Sequence, residues 1–61
     1  MNILIIDAAN EKIFLMLIKK DKNIYKASYE NSKTNYEKLT ILINDFLNSK
    51  NLKMNNITSL Y

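Results

Sequence analysis

The sequence predicts an α/β fold in the order β-β-β-α-β, an antiparallel three-strand meander, one helix and the opening of a fourth strand. Three observations predict it. Two short aliphatic runs, Ile3-Leu4-Ile5-Ile6 and Ile13-Phe14-Leu15-Met16-Leu17-Ile18, are separated by a brief link. A third segment, Ile24 to Glu30, alternates apolar and polar residues. From Tyr36 onward the apolar residues fall instead at helical spacing.

The first strand is expected over residues 2–7, because branched aliphatics fill it and Asp7 ends it. Ala8-Ala9-Asn10-Glu11 is short enough for a hairpin connection. A second strand over 12–19 leads into Lys20-Asp21-Lys22-Asn23, a turn in which Asp and Asn can bond their own backbone. The third strand spans 24–30. Its Tyr25, Ala27 and Tyr29 face one way and its Lys26, Ser28 and Glu30 the other, so it belongs at an edge. The first two runs do not alternate and read as buried on both faces, which places them in the middle of the sheet.

The helix is expected over residues 35–50. Tyr36, Leu39, Leu42, Ile43, Phe46 and Leu47 form its apolar stripe. Asn31, Ser32 and Thr34 can each cap its start, and Thr34 with Glu37 has the form of a capping box. Asn55-Asn56 then turns the chain into an extended segment at 57–61. A single helix covers one face of a sheet. Strands greasy on both faces require a second layer, supplied by sequence beyond a partial domain spanning residues 1–61 or by a second copy.

Composition narrows the functions. A chain of 61 residues is at most one small domain, near the size at which staples are usual. With no Cys and no His it lacks disulfides, imidazole ligands and the usual partners of a catalytic nucleophile, and its six carboxylates show no ligand-like spacing. The net charge of +3 comes from nine lysines dispersed along the chain, without an arginine, which reads as a solvated surface rather than a nucleic-acid patch. No secretory signal is visible, and the longest apolar run is far below the ~20 residues of a membrane helix. A cytoplasmic location without membrane contact is expected.

The order of elements resembles the opening of the actin-like, hexokinase-like ATPase superfamily, whose ribonuclease H-like domains begin with a three-strand meander, a helix and a strand returning beside the first. An acidic residue closes the first strand there, where Asp7 stands here. Within that superfamily, N-I-L-I-I-D-A-A-N at residues 2–10 is similar to the opening of the bacterial glycoprotease-like (Gcp-like) proteins, and of their dimerisation subunit in particular. N-Y-E-K-L-T-I-L-I-N-D-F-L at 35–47 looks like that family's first helix, and L-K-M-N-N-I-T-S-L at 52–60 like the approach to its fourth strand. The chain departs from the pattern where Thr-Ser after the acid becomes Ala8-Ala9, and where the His and Ser of the helix start become Asn35 and Tyr36. The family's glycine-rich loop would follow the fourth strand.

The resemblance implies a non-catalytic subunit without a cofactor of its own. Its partners would be a homologous catalytic subunit and a separate ATPase, which together attach a threonylcarbamoyl group to the adenosine beside the tRNA anticodon. It would meet tRNA only indirectly, and a homodimer is the other possible assembly. Subunit pairing through the helix would make Asn35, Lys38, Ile41 and Asp45 partner contacts, Ile41 lying opposite the core stripe. Asp7 would be the remnant of a nucleotide and metal site, or simply a strand-end acid bonding turn amides. Tyr25 and Tyr29 are expected to pack under the helix rather than stack bases. Two other readings stand beside this one: a piece of an ATP-dependent kinase of the same superfamily, in which Asp7 would act, and a small interaction protein dimerising through its sheet face.

Overall fold

The two aliphatic runs become β1 (Ile3–Asp7) and β2 (Lys12–Ile18), and the alternating segment becomes β3 (Ile24–Glu30). The structure, a computed structural model, describes residues 1–9 and 11–61. The β1–β2 link expected at residues 8–11 includes Asn10, which lies outside the described residues. β1 and β2 run antiparallel with Leu4 opposite Leu17 and Ile6 opposite Leu15; β2 and β3 run antiparallel with Leu15 opposite Ala27. β4 (Ser59–Leu60) returns parallel to β1, so the strand order is β3-β2-β1-β4. The meander, its outermost third strand and the fourth strand beside the first match the expected order.

Register divides the sheet into two unlike faces. Leu4, Ile6, Ile13, Leu15 and Leu17 share one face with Tyr25, Ala27 and Tyr29, because paired residues in a ladder point the same way. That face meets the helical layer, and Leu4, Ile13, Leu15, Leu17, Ile43, Phe46 and Leu47 form the buried core. Ile3, Ile5, Phe14, Met16 and Ile18 point to the other face. The expectation that β1 and β2 are buried on both sides is met on one side only: Phe14 is 49% exposed, Ile24 beside Ile18 is 56% exposed, and no layer of the described chain covers them. One helical layer can shield one face, and the pleat sends alternate residues to the other.

The helix differs most from expectation. Instead of one helix over 35–50 there are two, α1 (Lys33–Glu37) and α2 (Leu39–Asn48), separated by Lys38 at φ −97°, ψ 14°. The N-cap is Ser32, whose Oγ accepts from the Asn35 backbone N–H at 3.1 Å. Thr34 therefore lies inside the first turn, and the Thr34–Glu37 capping box does not form. Asn35 Nδ2 donates to the Glu30 carbonyl at 2.9 Å, fastening α1 to the end of β3. α2 has a different anchor, its Ile43, Phe46 and Leu47 against the sheet. The bend at Lys38 reconciles the two. It also removes Tyr36 from the core stripe: that ring is 60% exposed, while Leu39 and Leu42 stay half-buried.

With no glycine in the chain, ordinary residues take the left-handed positions. α2 ends in a Schellman arrangement in which Leu52 N–H donates to Leu47 O and Asn51 N–H to Asn48 O, both at 3.0 Å, around Asn51 at φ 61°. Leu52 then packs against the core cluster. The β2–β3 turn closes through Lys22 N–H to Lys19 O and Lys19 N–H to Asn23 O, with Lys22 at φ 72°. Asp21 Oδ1 accepts from the Asn23 backbone N–H at 3.0 Å. That hydrogen bond, helped by the Asn23 side chain and by Lys19, outweighs the opposing effect of desolvation and holds the Asp21 carboxyl below its ordinary value of 3.8. Asn2 ties two distant turns to β1: its Oδ1 accepts from Lys20 N–H, and its Nδ2 donates to Asn56 O, where a 3-10 turn (Met54–Asn56) leads into β4.

Four outcomes are expected. Leu17→Ala should cost ~2–5 kcal/mol, a large part of the ~3–9 kcal/mol total for a chain this long, and thermal melts followed by circular dichroism should show its midpoint sharply lowered. Lys22→Gly should raise the thermal midpoint, because glycine has no Cβ penalty at positive φ, and Asn51→Ala should lower it, because alanine loses the local backbone hydrogen bonding that lets asparagine take that region, each by about 1 kcal/mol equivalent. A depressed folded-state pKa gives Asp21 a contribution that is present above its unfolded value and lost as pH falls through the folded one. The stability advantage of the native chain over Asp21→Asn should therefore be seen in melts near neutrality and vanish in strong acid; it should be small, since Asp21 is exposed.

Candidate functional site

Chemistry-bearing residues fall on opposite sides of the sheet. Asp7 ends β1 opposite Phe14 and so belongs to the open face. Its Oδ1 accepts from the Ala9 backbone N–H at 3.1 Å, the bond of a strand-end acid to a turn amide. The turn is fastened from the other end as well. Asn31 Nδ2 donates to the Ala8 carbonyl at 2.8 Å and its backbone N–H to Glu11 O at 3.0 Å. Position by position, Asp7 is an exposed carboxylate on a well-anchored strand end.

Beside it lies a hollow of about 310 Å³ lined by Ile5, Asp7, Phe14, Leu15, Met16 and Lys26. Its floor is apolar. Its two charged groups stand on different strands, Asp7 on β1 and Lys26 on β3, with β2 between them. Lys26 is opposite Met16 in the β2–β3 ladder, and Phe14 is opposite both Asp7 and Ser28. Lys26 and Asp7 form no ion pair with each other or with other described residues. Among the described residues no group of three carboxylates gathers where it could hold a metal ion, so Asp7 faces Lys26 and hydrophobic side chains there.

The other sequence-derived positions lie on the helical layer. Asn35 is half-buried and spends its amide on the Glu30 carbonyl, which gives it a structural tie. Lys38, Ile41 and Asp45 are exposed; spaced by three and four residues, they share the outward side of α2, opposite Ile43, Phe46 and Leu47. Ile41 is 57% exposed. The sheet therefore separates Asp7 from the helix positions, and no single site unites them.

Tyr25 and Tyr29 lie under the helical layer against the core, as expected. Lys50 Nζ sits 4.8 Å from the centroid of the Tyr25 ring, a cation–π contact that closes that edge of the core.

Sequence reasoning set Lys26 aside as a solvated lysine on the wet side of an edge strand. The structure makes that side continuous with the apolar side of β2, so Lys26 borders the hollow. Only the pairing of Met16 with Lys26 reveals this, and a hairpin register is what could have signalled it. No helix among the described residues is long and apolar enough to cross a membrane. No family profile, no curated protein and no solved structure matches this chain.

Proposed function

We propose that the chain is a non-catalytic scaffold, the dimerisation subunit of a machinery that attaches threonylcarbamoyl to the adenosine beside the tRNA anticodon. Its partners in this reading are a homologous catalytic subunit and an ATPase, with tRNA met only through them. The observation that supports it is strand order. A β3-β2-β1-β4 sheet, with an antiparallel meander and a fourth strand parallel to the first after a helical excursion, is the arrangement that the resemblance to an actin-like, ribonuclease H-like opening implies. An acid ends β1 in the corresponding place.

A fold hosts many functions, so the reading needs a surface as well. That surface is the outward side of α2, where Lys38 and Asp45 flank the exposed aliphatic Ile41. Burying Ile41 against a partner helix would contribute about 1.5–3 kcal/mol, enough to matter at the centre of a helix–helix contact. Asn35, held to β3, contributes by fixing the start of that helical layer. Asp7 has no catalytic task in this reading; its carboxylate serves the turn.

The test is binding to the catalytic subunit and ATPase homologues from the same genome, with threonylcarbamoyladenosine formation on tRNA as the second readout. The full chain should bind the catalytic subunit and raise modification. Ile41→Asp should weaken binding by about tenfold or more while leaving the melting curve within the small range usual for surface changes. No binding and no stimulation by the folded chain would refute the reading.

A further inference from the structure

The open face of the sheet has a composition that argues for one occupant. Ile3, Ile5, Phe14, Met16, Ile18 and Ile24 form a continuous apolar block across β1, β2 and β3. The chain exposes 4466 Å², above the ~4,100 Å² usual for a folded protein of its 7.2 kDa. Scattered exposed aliphatics require no explanation, but a contiguous patch rimmed by charge marks an interaction surface. The charges flank the block asymmetrically, with the acid Asp7 on the β1 side and the base Lys26 on the β3 side, and neither has an ion-pair partner among the described residues.

From this we infer that the open face binds the same face of a second copy, around a two-fold axis running along β2. Such an axis lays β2 on β2 and β3 on the second copy's β1, an isologous contact in which each residue meets its counterpart's complement. Phe14 then faces Phe14 and Met16 faces Met16 of the second copy across the axis, covering the hollow that each copy presents. Lys26 comes over Ile5 of the second copy and one residue pair from its Asp7, within reach of a lysine crossing the ~10 Å between packed sheets. The symmetry makes this ion pair twice. Lys12, at the end of β2 and opposite its own chain's Glu30, extends past the rim into water.

A sheet of this width and strand length offers roughly 400 Å² of flat area per copy, about half the ~800 Å² a side of a standard interface. The dimer should therefore be concentration-dependent rather than permanent. This contact lies on the face opposite the α2 stripe, so the variants that test it differ from the one that tests the scaffold reading.

Sedimentation equilibrium of the 61-residue chain from micromolar to millimolar concentration tests it. The mass should rise from 7.2 kDa toward twice that value and level off there. Lys26→Asp and Asp7→Lys should each weaken association about tenfold, and the double charge swap should restore it to near the native value. Met16→Lys should yield a monomer whose far-UV circular dichroism is native-like, since that side chain lies outside the core. Thermal melts of every variant separate lost association from lost folding, and Ile41→Asp should dimerise like the native chain. A monomer at all concentrations, a double swap no better than the singles, a folded Met16→Lys dimer, or open-ended growth beyond two copies through the β3 edge would each overturn the inference.

Discussion

Everything in this molecule follows from a sheet that has two apolar faces and one helical layer. β2 carries hydrophobic residues at nearly every position, and the pleat sends Ile13, Leu15 and Leu17 to one side and Phe14, Met16 and Ile18 to the other. α2 can satisfy only the first set. The core that results is small, seven buried residues among those described, and all of them lie on a single side of the sheet. The second set remains as a surface whose free energy is not yet spent.

A chain without glycine, proline or cysteine has few conventional means of fixing its turns. Asparagine and aspartate take over that work. Asn51 supplies the left-handed exit from α2, Asp21 the β2–β3 turn, Asp7 and Asn31 the β1–β2 turn, and Asn2 the tie between the first strand and two remote loops. Short polar side chains compete well for local backbone groups, which is why they serve at turns and caps. No buried side-chain polar atom is left without a partner among the described residues, so these ties are made without an interior cost.

The same economy shapes the functional surfaces. Asp7 has its carboxylate committed to Ala9 N–H while still bordering the open face, and Asn35 is committed to Glu30 while still starting the helical layer. Two separate surfaces stay exposed among the described residues, the outward side of α2 and the uncovered side of the sheet, and each carries one of the contacts proposed above. They face in opposite directions, so one copy could engage two neighbours without either contact obstructing the other.

The period of the hydrophobic residues was enough to establish the number, order and approximate limits of the strands, since apolar runs of this length have few alternatives. The edge position of β3 was equally legible, because Tyr25, Ala27 and Tyr29 alternate with Lys26, Ser28 and Glu30. Asp7 at the strand end and Ile41 opposite the core stripe could also be read from position alone. What required the tertiary structure were choices between local options of nearly equal energy. Ser32 rather than Thr34 caps the helix because Asn35 then reaches Glu30, and the bend at Lys38 arises because α1 and α2 answer to different anchors. Lys26 joins Asp7 around one hollow only through cross-strand register. Periodicity is a property of each segment by itself; register, caps and bends are settled by which segments meet, and that information is shared among residues far apart in the chain.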